Sequence, residues 1–216
     1  MRFILSVFVG LFLGLSVFSQ ERTTVLISTS FGDMMVELYN ETPQHRDNFI
    51  KLVEERFYDG TLFHRVIPNF MIQGGDPDSK GAAPNVQLGN GGPGYTIPAE
   101  FVDGLFHKKG ALAAARLGDA VNPKKESSGS QFYLVQGQDF TEEKLWSFGL
   151  RSGKKYTQEQ TKTYRTIGGT PHLDGAYTVF GEVVKGLEVI ELIANQKRDK
   201  NNRPLKDVEI SISIIK

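Results

Sequence analysis

Apolar residues recur along this chain at two different periods, and the switches between them divide it into elements. From Thr24 to Tyr39, two β-rich runs, TVLIS and MMVELY, flank Ser30-Phe31-Gly32-Asp33, which reads as the turn of a hairpin. The period then lengthens. Phe49, Ile50, Leu52, Val53 and Phe57 recur at helical spacing, with Thr42 placed to N-cap and Pro43 suited to the first helical position. Asp59-Gly60 ends that segment. The short runs LFHRVI, FMIQG, GALAAAR, SQFYLVQ and YTVFGEVV come next as strands, most of them separated by glycine-rich turns. GLEVIELIANQ returns to helical spacing, with Leu187, Ile190, Ile193 and Ala194 on one face. VEISISIIK alternates at period two and reads as a closing strand. The pattern predicts an all-β-dominated domain, a sandwich or barrel, with two helices capping its open ends.

Two connections are longer than loops usually are without a function or structure of their own. Residues 74–94 are glycine-rich. Residues 138–171 form a polar insertion with two short helical stretches, TEEKLWSF and YTQEQTKTY. The first twenty residues differ from the rest. Arg2 precedes an apolar run from Phe3 to Phe18, the n-region and h-region of a secretory signal, with cleavage expected after Ser19. The run is shorter than a spanning helix needs and is interrupted by Ser6 and Ser16. The expected organisation is therefore a signal peptide at 1–19 and one domain at 20–216. The mature protein is expected to be exported, periplasmic or secreted, and not inserted in a membrane.

Composition narrows the chemistry. Lys+Arg and Asp+Glu are equal at 25 each, so no global field favours nucleic acid or an anionic surface. Cysteine is absent, which excludes disulfides, thiolate nucleophiles and cysteine-based metal sites. The four histidines, His45, His64, His107 and His172, lack close metal-ligand spacing, and neither a metal nor a cofactor is expected. His64 reads as a hydrogen-bonded barrel residue. Gly89 to Gly94 formally matches G-x-G-x-x-G, but Pro93 and Pro98 break the stretch that would have to open a helix, and no βαβ unit surrounds it. Ser127, Ser128 and Ser130 lack the nucleophile-elbow pattern.

The most informative stretch is Phe63-His64-Arg65-Val66-Ile67-Pro68-Asn69-Phe70-Met71-Ile72-Gln73-Gly74-Gly75-Asp76. Two strand-like pieces flank a Pro-Asn turn. Period two places Phe63, Arg65 and Ile67 on one face of the first, and sets Phe70 apart from Met71 and Gln73 on the second. An arginine among large apolar residues needs a partner, and the Gln73 carbonyl is placed to supply one.

Together with GALAAAR, SGSQFYLV and HLDGAYTVFGEV, in that order and spacing, this stretch resembles the cyclophilin signature, and the resemblance covers nearly the whole chain after residue 23. It implies a closed eight-stranded antiparallel barrel capped by two helices. It also implies a peptidyl-prolyl cis-trans isomerase acting on proline-containing unfolded or flexible polypeptides, and a monomer. By motif position, Arg65 is the catalytic arginine, Gln73 its orienting partner, and Phe70, Met71, Tyr133 and Leu173 the pocket walls. Ala115 and Arg116 are the segment whose backbone bonds the substrate, and Gln131 is a further contact. The chain departs from the best-known members at Arg116 (commonly Asn), Tyr133 (commonly Phe), His172 (Trp in many eukaryotic members) and Tyr177 (His in those members). His172 and Tyr177 change the rim and imply weakened binding of the cyclosporin class. These departures and the insertion also fit a second class, a proline-recognising binding or chaperone module. The insertion is expected to rim the pocket, with Trp146 as an anchor for a substrate or partner.

Overall fold

The computed structural model describes residues 21–215, so the signal-peptide reading of residues 1–19 lies outside the described residues. The architecture is a strongly curled antiparallel sheet around one apolar core. Nine strands form a continuous ladder. In spatial order they are β3 (Thr61–Leu62), β11 (Glu209–Ile215), β1 (Thr24–Thr29), β2 (Gly32–Leu38), β10 (Val179–Lys185), β7 (Ala111–Ala114), β9 (Phe132–Val135), β5 (Met71–Gly74) and β4 (Arg65–Ile67). A separate pair, β6 (Thr96–Ile97) and β8 (Ser127–Ser128), lies outside the ladder.

The two edge strands, β3 and β4, are joined only by Phe63 and His64, so the sheet has to bend until its edges nearly meet. Phe63 N–H to Val208 O, at 2.9 Å, continues the β3–β11 pairing, and Val66 N–H to Asn202 O, at 2.9 Å, ties β4 to the chain leading into β11, with no β3–β4 ladder. The expected closed eight-stranded barrel is thus a nine-stranded antiparallel curl that is not fully closed, its two edges linked only through the chain. The run LFHRVI, expected as one strand, breaks at Phe63-His64 to serve both edges.

Alternation decides what faces inward. Val25 and Ile27 of β1, Met34, Val36 and Leu38 of β2, and Ile210 and Ile212 of β11 are buried, while their neighbours are more exposed. The helices α1 (Pro43–Glu54) and α4 (Leu187–Ala194) cover this interior with Phe49, Leu52 and Val53, and with Val189, Ile190 and Ile193. Phe49, Tyr58, Phe63 and Phe132 meet mostly edge to face, with ring centroids 5.0 to 6.1 Å apart.

The start of α1 departs from expectation. Thr42 is the N-cap residue, but its side chain makes no capping bond. Glu100 does so from afar: its carboxylate accepts the Gln44 N–H at 3.1 Å and the His45 N–H at 3.0 Å.

β7 and β9 are buried on both faces. Leu112, Ala114, Phe132 and Leu134 point into the main core, while Ala111, Ala113, Tyr133 and Val135 join a second apolar cluster on the outer face with Met71. Of the alanines in this cluster, Ala115 lines a hollow on that face. The insertion packs beside it. Its helices, α2 (Glu142–Ser152) and α3 (Gln158–Thr166), lie over the two stretches read as helical, α2 running four residues further. They enclose a small core of Phe106, Phe140, Leu145 and Tyr164. The base is pinched shut at Gly169, where a Cβ would lie 2.2 Å from the His107 carbonyl oxygen. Among the described residues no helix is long and apolar enough to cross a membrane.

Candidate active site

The β4–β5 hairpin places Arg65 directly opposite Gln73 and Ile67 opposite Met71, while Val66 and Ile72 turn inward. Arg65 Nη1 donates to Gln73 Oε1 at 3.1 Å, as the sequence suggested. Gln73 Nε2 in turn donates to Gln131 Oε1 at 3.0 Å, and Gln131 Nε2 donates to the Gly89 and Gly91 carbonyls at 3.0 and 2.7 Å. Three side chains therefore form one directional chain from the glycine-rich loop to the guanidinium. Burial lowers the pKa of the Arg65 guanidinium from its ordinary value.

Two placements read from strand alternation are corrected. Phe63 does not share the Arg65 face but lies in the main core, because the break between β3 and β4 resets the alternation. Phe70 is not set apart from Met71. It sits in the turn before β5, where Asn69 adopts φ +60°, and packs into the outer cluster beside Met71. That turn is clamped. Asn69 N–H donates to Gln136 Oε1 at 2.6 Å, and the Phe70 carbonyl accepts from Gln136 N–H and Gly137 N–H, each at 3.0 Å.

A cavity of about 310 Å³ opens on this face. Arg65, Phe70, Met71, Gln73, Ala115, Arg116, Tyr133, Leu173 and Tyr177 all line it. Gln131 and His172 do not. Gln131 lines an adjoining groove of about 650 Å³ that shares Gln73, Gly89, Ala115 and Arg116 with the cavity, so the two hollows run into one another. His172 backs the wall instead, stacking on Phe70 with ring centroids 5.6 Å apart. Burial pushes its imidazole below the ordinary value.

Sequence reading missed His64, Val86, Leu88, Asn201 and Arg203, which complete the cavity wall. The unusual length of the loop after Gly74 was the one signal available for Val86 and Leu88. The insertion does not rim the cavity, since none of residues 138–171 lines it. Trp146 is exposed on α2, in the wall of a separate hollow.

A family model described as cyclophilin type peptidyl-prolyl cis-trans isomerase/CLD matches residues 24–213. The chain belongs to this family. A Staphylococcus aureus relative named as a peptidyl-prolyl cis-trans isomerase is 37% identical over 192 residues, 88% of this chain and 90% of that one. A Streptococcus pyogenes relative named as a bifunctional phosphatase/peptidyl-prolyl cis-trans isomerase is 38% identical over 189 residues. Those residues are 86% of this chain but only 37% of that longer protein. The crystal structure of a cyclophilin type isomerase from Cryptosporidium parvum superposes with a TM-score of 0.67 at 26% identity, covering 91% of this chain and 99% of that one. A second structure, of the same parasite cyclophilin in the presence of the dipeptide Ala-Pro, gives 0.65.

In this cyclophilin the Ala115–Arg116 segment also makes contacts within the protein. Ala115 N–H donates to Gln131 O at 2.9 Å, and Ala115 O accepts from Ser128 N–H at 2.8 Å. Its backbone is engaged within the protein, and what it offers the groove is its small side chain. The Arg116 guanidinium is also held: it donates to Ala176 O and Leu117 O at 2.6 and 2.8 Å, pairs with Asp119 at 2.7 Å, and lies 4.5 Å from the Tyr177 ring centroid. Arg116 thus fixes the wall carrying Tyr177.

One further constellation has the order of an acyl-transfer relay. Glu100 Oε2 lies 2.6 Å from His45 Nδ1, and His45 Nε2 lies 2.9 Å from Ser127 Oγ. Ser127 is 1% exposed and lines neither hollow, so no substrate reaches it. The trio is a structural pin that ties α1 to the β6–β8 pair.

Proposed function

We propose that the cavity seats the prolyl ring of an X-Pro segment against Phe70, Met71, Tyr133 and Leu173, and that Arg65 stabilises the twisted amide by donating to the prolyl nitrogen. The observation that carries this reading is the state of Arg65. Gln73 is its hydrogen-bond partner, through one nitrogen, and the guanidinium lines a hollow of mixed character, with Phe70, Met71, Tyr133 and Leu173 as its apolar walls and donors to spare.

The chemistry needs little more. Rotation about an X-Pro bond meets a barrier of roughly 18–20 kcal/mol because twisting destroys amide resonance. In the twisted state the prolyl nitrogen regains a basic lone pair, so a donor there binds the transition state and not the planar ground state. The planar amide is the more polar form, and an apolar wall disfavours it. No proton is transferred, so turnover is expected to vary little between about pH 6 and pH 9. The substrate's own chain runs along the groove past Gly89 and beside Arg116, whose backbone takes no partner among the described residues. The substrates in this reading are proline-containing segments of unfolded or flexible proteins, and the role is assistance to their folding. Arg2 and the apolar run behind it support a place of action outside the cytoplasm, with the protein acting as a monomer.

The test is Arg65→Ala in a protease-free assay of prolyl-peptide isomerisation. Removing a preorganised donor of this kind lowers kcat by roughly 10²–10³-fold. The melting temperature should hardly move, because Arg65 is only half-buried. Wild-type turnover in the variant would refute the donor role. Peptide binding without turnover by the unaltered protein would instead favour a proline-binding module.

A further inference from the structure

Tyr133 has a second set of contacts that the proposed reaction does not use. Its hydroxyl lies 2.9 Å from His107 Nε2, with the two rings within 12° of parallel. His107 is fully buried, and its Nδ1 lies 2.8 Å from Asp174 Oδ1, which also accepts the His107 backbone N–H at 2.9 Å. The other carboxylate oxygen, Oδ2, accepts the Tyr164 hydroxyl at 2.6 Å. Tyr164 stands on α3, inside the insertion, and is itself fully buried.

The chain has a direction. A carboxylate only accepts, so the Tyr164 hydroxyl and both His107 N–H groups donate to Asp174. An imidazole protonated at Nδ1 accepts at Nε2, so the Tyr133 hydroxyl donates to His107. Tyr133 pairs in register with Ala113, whose side chain is only a methyl, and its ring also meets Tyr177 edge to face at 6.0 Å. The insertion touches the pocket wall a second time through Phe148, whose ring lies 6.3 Å from His172, the residue stacked on Phe70.

We propose that Tyr164 is a remote positioning residue of the prolyl pocket: through Asp174 and His107 it pins the Tyr133 hydroxyl, and so the ring that walls the cavity. The inserted helices thereby set turnover without touching substrate. This rests on Tyr133 being a wall of the prolyl pocket, as proposed above.

The experiment compares Tyr164→Phe, Tyr133→Phe and the double variant, measuring kcat and KM on a short prolyl peptide. Thermal melting and the NMR signal of the buried His107 Nδ1–H are read alongside. Each single change should lower kcat about fivefold with KM little altered, the effect of one hydrogen bond. The double variant should also lose about fivefold, not about twenty-five-fold, because both changes break one chain. The His107 signal should move in Tyr164→Phe. Wild-type kcat in Tyr164→Phe, or losses that multiply, would overturn the proposal. Should Tyr164→Phe fail to fold, Tyr133→Phe alone decides, and an unchanged kcat overturns it. Arg65→Ala separates the two readings: if it retains turnover the pocket assignment fails, and if it is inactive while the tyrosine effects multiply, only the positioning chain fails.

Discussion

Replacing Gln73 by Leu would cut the amide chain at the link nearest Arg65. The change removes the Oε1 acceptor 3.1 Å from Arg65 Nη1 and the Nε2 donor 3.0 Å from Gln131. A hydrogen bond to a charged group contributes about 1.5–3 kcal/mol. Both Arg65 and Gln73 are only partly buried, so water replaces some of it and the lower end applies. About 1.5 kcal/mol of lost positioning corresponds to roughly tenfold in kcat/KM. Gln131→Leu acts one link further out. It leaves the Arg65–Gln73 bond in place but frees the Gln73 amide to turn its NH₂ toward the guanidinium, so a loss of about two- to threefold is expected from one neutral hydrogen bond acting indirectly. A protease-free isomerisation assay, with melting curves run beside it, should rank the losses Arg65→Ala, then Gln73→Leu, then Gln131→Leu. Both amide hydrogens of Gln131 already serve the Gly89 and Gly91 carbonyls, which leaves it little with which to bind substrate. If Gln131→Leu proved more damaging than Gln73→Leu, Gln131 would be a direct substrate contact and the reasoning from the chain would be wrong.

Two further outcomes concern stability. Glu100→Ala removes the acceptor for two N–H groups of α1 and the partner of His45. A loss of roughly 2 kcal/mol is expected, or about 4–8 °C in Tm, with kcat per folded molecule unchanged because Glu100 does not line the cavity. An unaltered Tm would contradict the capping role. Burial lowers the His64 imidazole to about 4, whereas in the unfolded chain it titrates near its ordinary 6.5. Above that value His64 is neutral in both states. Between 6.5 and 4 only the unfolded chain takes up the proton, so stability falls as the pH drops, by up to roughly 3 kcal/mol at the acid end. His64→Gln should lose less stability over that window in urea unfolding, with a residual slope because burial also lowers His45. An identical acid loss in the variant would show that His64 does not titrate as its burial requires.

Much of this molecule was legible residue by residue. The hairpin from Thr24, the two capping helices, both helices of the insertion and the Arg65–Gln73 pairing are local or one hairpin apart. Hydrophobic period and strand register are enough to place them. Alternation failed only where the chain stops being a strand: at Phe63, where the run serves both edges of the sheet, and at Phe70, which an αL turn swings into the pocket.

The cyclophilin motifs, and with them the family and the greater part of the cavity wall, are set by the order of residues alone, since each motif is a contiguous run whose side chains project by backbone geometry. The partners of those side chains are not set in the same way. Glu100 caps a helix 56 positions away, Asp174 reaches His107 across 67, and Gln131 turns its amide to carbonyls some 40 residues earlier. A polar group takes whichever donor or acceptor the fold brings within about 3 Å. Only the curling of the sheet decided that Ala115 has its backbone engaged, that the Arg116 guanidinium is tied to the wall, and that the insertion stands behind the pocket instead of at its rim.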